Sequence, residues 1–215
     1  MTNVLNGQTV LLIGVADFVG VSALDSRLSI FYDAVMRVAC VNGIRVIERR
    51  GDACIAITDA SDSPFPVSRI LVAACELTRE LQARQGVSSG VRMGLATGDG
   101  AFVEYIANGG GLTVSIQGDV VNTAARMKAA STKGKVMVHK SSLDVWLEET
   151  ECVAPKVSRI LCKGKLDQLA AMYDCTACAF YSPPSALIWR TSSIKQCRSL
   201  PNVSDHQPIN RRRSI

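Results

Sequence analysis

The order of apolar periodicities between Val10 and Thr97 constrains this chain more than any single residue does. Val10–Phe18 is rich in Val, Ile and Leu, the pattern of a buried strand. From about Ser26 to Val41 the residues Leu28, Phe31, Ala34, Val35 and Val38 recur at helical spacing, and Asn42-Gly43 ends that helix. Ile44–Glu48 and Ala53–Ile57 read as two strands around Arg49-Arg50-Gly51-Asp52, a tight hairpin. Val67–Gln85 is a second amphipathic helix with Ile70, Leu71, Ala74, Leu77 and Leu81 on one face, and Val91–Thr97 is a strand. Strand–helix–strand–strand–helix–strand is the split βαβ order. It predicts an α+β, ferredoxin-like fold, a mostly antiparallel sheet with helices on one face.

Further along, the pattern predicts a short strand over Ala101–Ile106, a turn at Gly109-Gly110-Gly111 and a helix over Asp119–Ala130. A strand follows at Lys135–His139, then a short helix over Ser141–Leu147 with a Ser cap, then strands at Val157–Cys162 and Ala170–Cys175. From Tyr181 the character changes: Pro183-Pro184, many Ser and Arg211-Arg212-Arg213 read as a disordered tail. Two units are therefore expected, a folded domain over 1–180 and a tail over 181–215.

The net charge of +5 belongs to that tail, which holds six basic residues and one acid, Asp205. Residues 1–180 carry 18 basic and 18 acidic side chains, so the domain has no electrostatic footprint for nucleic acid. A membrane contact is expected at most through the basic tail. The longest apolar stretch, Val10–Val21, is broken by Asp17, and the N-terminus has no basic region or cleavage site, so a cytoplasmic chain is expected. Most of the eight Cys sit in apolar runs, and Cys175–Cys178 is the one CxxC, which predicts structural thiols in a reducing compartment.

Several polar residues stand where chemistry could use them. Asp17 and Asp52 each interrupt an apolar context, one near the end of the first strand and one at the hairpin. A lone Asp there serves as a turn or cap residue. In the split βαβ order, however, these two elements are neighbours, and two carboxylates meeting at one sheet end repel unless a divalent cation lies between them. Gly20, at the strand-to-helix turn, offers backbone N–H groups to phosphate oxygens. Asn122 and Arg126 are four apart on one helix and share a face. They are either a polar surface pair or a hydroxyl-orienting amide beside a guanidinium that stabilises phosphoryl charge. Lys163 leaves an apolar strand just before a turn, as a solvated strand end or as a phosphate ligand.

Taken in order, Asp17-Phe18-Val19-Gly20, Glu48-Arg49-Arg50-Gly51-Asp52, the Val91–Gly98 segment, Gly118-Asp-Val-Val-Asn-Thr-Ala-Ala-Arg-Met127 and Lys163-Gly164-Lys165 resemble the class III nucleotidyl cyclase catalytic domain. The resemblance spans roughly Val10–Cys175. It implies conversion of GTP or ATP to the 3′,5′-cyclic nucleotide and pyrophosphate, assisted by two Mg²⁺ or Mn²⁺ ions. Asp17, Asp52 and the Phe18 carbonyl match the metal ligands, with Gly20 and Ser22 in the phosphate-binding turn. Asn122 matches the ribose-positioning residue, Arg126 the transition-state arginine and Lys163 the lysine on the terminal phosphates. The family draws its metal residues from one subunit and the Asn, Arg and Lys from another, so a homodimer, or a heterodimer with another cyclase domain, is implied.

Base choice in the family depends on two positions, here Glu48 and Ser115. A carboxylate accepts from guanine N1–H and N2–H₂, whereas adenine presents an acceptor at N1, so Glu48 favours GTP. Ser115 does not decide. Gly20-Val21-Ser22 stands where the family usually has Gly-Phe-Thr, and Arg49 and Arg50 stand where it has apolar or small residues. A guanidinium there either pairs with Glu48 or faces solvent. Two other readings stay open: an adenylate cyclase, and a catalytically silent cyclase-homology domain acting as a dimerisation partner.

Overall fold

The computed structural model describes residues 2–16, 26–58, 63–84, 90–106, 112–150, 156–162 and 165–176. In chain order the elements are β1 (Thr2–Val15), α1 (Ser26–Val41), β2 (Arg45–Arg50), β3 (Ala53–Thr58), α2 (Pro66–Ala83) and β4 (Val91–Ile106), then β5 (Leu112–Gln117), α3 (Asp119–Ala130), β6 (Lys135–His139), α4 (Lys140–Glu149), β7 (Ser158–Cys162) and β8 (Lys165–Asp174). They form one sheet in the order β2-β3-β1-β4-β6-β8-β7, with β5 paired to the distal half of β4. The pairs are antiparallel except β4 with β6. The β2-β3-β1-β4 portion is the predicted split βαβ sheet.

Alternation along β1 splits its side chains between two cores. Leu11, Ile13 and Val15 join Phe31, Val35 and Val38 of α1 and Ile70, Leu71, Ala74 and Leu77 of α2. Leu143 of α4 belongs to the same layer. Val10 and Leu12 face the other way, onto Ile116 of β5 and Val120 and Ala124 of α3. The expectation of helices on one face is therefore corrected: α1, α2 and α4 cover one face, and α3 with the β4–β5 arm covers the other. Gly94 makes this second layer possible. A Cβ there would lie 2.1 Å from the Lys128 backbone N and 2.2 Å from the Ala124 carbonyl O, so strand and helix meet backbone to backbone.

Other differences have local causes. β4 runs unbroken through Gly98 and Gly100, because the Thr2–Leu5 end of β1 pairs along its distal part. β5, which the apolar pattern did not mark, exists by pairing with that same extension. The predicted Ser cap of α4 is corrected: the helix begins at Lys140, its cap is His139, whose Nδ1 accepts from Ser141 N at 3.2 Å, and Ser141 lies inside the first turn. The N-terminus of α2 has no side-chain cap of its own, and Glu149 at the end of α4 takes the role, accepting from Val67 N at 2.8 Å and Ser68 N at 2.6 Å. Cys54, Cys75, Cys162 and Cys175 are free thiols as expected, but Cys40 is disulfide-bonded, which corrects the all-thiol reading. Cys40 lies only half-buried near the end of α1, outside the packed core that shelters Cys54 and Cys75. Among the described residues no helix is long and apolar enough to cross a membrane. The tail over 181–215 lies outside the described residues.

Candidate active site

Asp52 sits in the β2–β3 turn, where Gly51 takes φ 54°, a conformation that favours glycine. The turn is tied to the end of β1: Val15 N donates to the Asp52 carbonyl O at 3.0 Å, and Gly14 pairs with Ala53. From the α1 side, the Tyr32 hydroxyl donates to the Gly51 carbonyl. Asp52 is thus level with the last residues of β1, which is where the sequence predicts the two carboxylates to meet. Asp17, Phe18, Gly20 and Ser22 lie outside the described residues. A cleft of about 310 Å³ opens at this end of the sheet, lined by Asp52, Gly14, Val15 and Ala16, with Arg92 from β4 and Lys128 from α3. The chemistry of Asp52 fits one hard-oxygen ligand to Mg²⁺ or Mn²⁺. Its backbone carbonyl is engaged by Val15, so the carboxylate is the donor it has to give. Among the described residues no cluster of three or more His, Cys, Asp or Glu forms a complete metal cage.

Glu48 and Ser115 meet. Ser115 Oγ donates to Glu48 Oε2 at 3.1 Å, joining β2 to β5. Ser115 is buried and Glu48 half-buried. The ladder between β2 and β3 shifts register between Val46 and Glu48, a bulge that re-aims the strand locally. Arg49, the next residue, projects to the opposite face, and its guanidinium lies over the Tyr32 ring at 5.5 Å from the centroid. That answers one of the two alternatives for the arginine pair: Arg49 is stacked on α1. Three residues before Glu48, Arg45 lies over the Phe102 ring at 5.8 Å, so the β4–β5 arm is also held to β2 by an aromatic contact.

Asn122 and Arg126 project from α3 away from the buried Val120, Thr123, Ala124 and Met127. Asn122 is exposed and Arg126 partly buried, with Arg126 Nη1 3.8 Å from Asp119 Oδ1. Gly118, with φ 134°, begins the helix against Asp99 and Gly100 of β4. Lys163 lies outside the described residues. Within one chain, Asp52 shares its cleft with Lys128 at the far end of α3. Asn122 is six residues back along the helix, about 9 Å of axial rise. The fold therefore groups Glu48 with Ser115 near the start of α3, and Asp52 with its end. Arg92 and Lys128 were not singled out from the sequence. The available signal was a cation inside the apolar Val91–Leu95 run and another directly after Met127.

No protein-family model matches the chain, and no curated protein matches it in sequence. Solved structures do match in shape. The catalytic core of a rhodopsin-guanylyl cyclase with converted specificity, in complex with ATPalphaS, superposes with a TM-score of 0.67 at 19% identity, covering 80% of this chain and 97% of that one. The guanylate cyclase domain of RhGC from Catenaria anguillulae, in complex with GTP, gives 0.64 at 19% identity over 80% and 97%. The adenylyl cyclase CyaB from P. aeruginosa gives 0.61 at 18% identity over 81% and 96%. This chain has the class III nucleotidyl cyclase fold.

Within that cyclase fold, the groups around the hairpin are electrostatically coupled. Burial is the main cause that raises the Tyr32 hydroxyl above its usual value; Cys54 and Asp52 add to it and Arg49 opposes it. Burial likewise pushes the Cys54 thiol up to about 12, with Arg49 again opposing. Both groups are therefore neutral at pH 7, and the Tyr32 hydroxyl keeps the proton with which it holds the Gly51 carbonyl.

Proposed function

We propose that the chain is a nucleotidyl cyclase that turns GTP into 3′,5′-cyclic GMP and pyrophosphate. The 3′-oxygen forms a bond to the α-phosphorus, the bond from that phosphorus to the β-bridging oxygen breaks, and the 3′-hydroxyl proton leaves to water. The observation that carries the substrate choice is the Ser115–Glu48 hydrogen bond in a cyclase fold. A serine donating to one carboxylate oxygen orients Glu48 as an acceptor, which suits guanine N1–H and N2–H₂ and repels adenine N1.

Asp52, with Asp17 and the Phe18 carbonyl as the resemblance implies, would hold two divalent cations. Such ions lower the barrier by neutralising charge on the reacting phosphates. Asn122 orients the ribose, Arg126 stabilises charge that grows on the phosphoryl oxygens, and Lys163 holds the terminal phosphates. The Arg126–Asp119 pair is weak, because Asp119 is 69% exposed. As the resemblance implies, a complete site would take Asp52 from one chain and Asn122 and Arg126 from another. A symmetric homodimer would have two such sites.

Purified chain incubated with Mn²⁺ and either GTP or ATP, with products read by mass spectrometry, tests this. Cyclic GMP as the main product supports both the chemistry and the role of Glu48. Cyclic AMP as the main product removes the base-selection argument. A folded dimer that yields neither is the silent partner domain.

A further inference from the structure

Lys128 has no place in the reaction described above, yet it lines the same cleft as Asp52. It lies in the last turn of α3, where a lysine ordinarily reaches into solvent and complements the helix C-terminus. Here the side chain is half-buried and lies back across β1. A methyl group on Gly14 would sit 2.8 Å from Nζ and 3.3 Å from Cδ, so the bare backbone of Gly14 is what leaves room for the ammonium. Among the described residues the Lys128 ammonium has no hydrogen bond or ion pair. Among the described residues the cleft is lined by Arg92, Lys128 and the Asp52 carboxylate, so the Lys128 ammonium is a cation placed where an anion can reach it. The cleft volume of about 310 Å³ is room for a diphosphate and several waters.

We propose that Lys128 is a phosphate-binding residue: its ammonium, seated on Gly14, takes the diphosphate end of a phosphoanhydride ligand in this cleft. A compact ammonium on a flexible stem serves such an anion as a mobile point charge. The nucleotide identity of the ligand rests on the cyclase reading; the anion site does not. In the cyclisation, Lys128 stabilises the charge that collects on the departing pyrophosphate, next to Asp52 of the same chain, which would hold a divalent cation.

The test is isothermal titration of the full chain with sodium pyrophosphate, and separately with a non-hydrolysable GTP analogue, each with and without Mg²⁺. Wild type is expected to bind both. Lys128→Gln is expected to weaken both about tenfold, the loss of one charge-assisted contact. Lys128→Arg should retain binding, and Gly14→Ala should weaken it by displacing the ammonium, with melting curves reporting that each variant is folded. Unchanged pyrophosphate binding in Lys128→Gln overturns the proposal. So does a Lys128→Gln variant that binds Mg²⁺ more tightly with pyrophosphate unaffected, because Lys128 would then be only a counter-ion to Asp52. Lys128-dependent pyrophosphate binding in a chain that makes no cyclic nucleotide would uphold the anion site and remove the cyclase reading.

Discussion

Replacing Gly94 by Ala probes the contact that carries the Asn122–Lys128 helix. The added methyl would lie 2.1 Å from Lys128 N, 2.2 Å from the Ala124 carbonyl O and 2.7 Å from Met127 C. All three are backbone atoms, so no rotamer change relieves the clash, and α3 must retreat from β4 by about 1 Å or more to restore ordinary contact distances. That retreat opens gaps around Val120, Ala124 and Met127, each of which is at most 5% exposed. Overpacking of this kind, with the lost contacts that follow, costs about 2–4 kcal/mol. For a domain of this size that is a fall in Tm of roughly 5–15 °C. The control lies on the same strand and face: at Gly98 a Cβ would meet Val120 Cβ at 3.6 Å, an ordinary contact, so Gly98→Ala should cost less than about 1 kcal/mol. Urea denaturation of both variants reads the difference as a change in midpoint at constant slope. Equal stability of Gly94→Ala and Gly98→Ala would refute the backbone-to-backbone packing of α3 on β4.

Glu149 gives a pH signature. Burial raises its carboxyl pKa despite the opposing bonds from Ser68 and Val67, so the folded chain binds this proton more tightly than the unfolded chain. Its contribution to stability is full below the unfolded pKa and is lost as pH rises through the raised folded value. Glu149→Gln should flatten the fall in urea midpoint above about pH 4.5, and an unchanged profile would contradict the assignment. Cys54, with its thiol at about 12 and 1% exposure, should resist alkylation at pH 8 in the native state and react once unfolded. Modification of Cys54 at the rate of a free thiol would contradict its burial. Arg126→Ala should lower kcat about 100-fold or more with a smaller change in KM, since its work lies in the transition state. An effect confined to KM would make it a ground-state ligand.

Much of the fold was legible in local pattern. The split βαβ order followed from period, and α3 has the bounds expected for it, with Val120, Thr123, Ala124 and Met127 as its buried stripe. The face on which α3 packs was not legible, since it depends on Gly94, whose meaning lies in a contact with a helix some thirty residues later. β5 was missed for a related reason: Leu112–Gln117 is strand because β4 extends past Gly98 to meet it. At the site, Asp52, Asn122 and Arg126 stood out through motif and spacing. The Ser115–Glu48 bond and the Gly14–Lys128 seat each join segments far apart in the chain, and only the folded sheet brings them together.

The most direct test of a shared cyclase site is complementation between two inactive variants. Asp52→Ala removes a metal ligand, and Arg126→Ala removes the group that would act from the other chain. Each alone should make almost no cyclic GMP from GTP and Mn²⁺. Mixed in equal amounts and allowed to exchange subunits, half of the dimers would pair the two variants and have one intact site, giving roughly a quarter of wild-type activity. Recovery near that level is the expected result. A mixture as inactive as its components, with heterodimer present by native mass spectrometry, would contradict a site built from two chains.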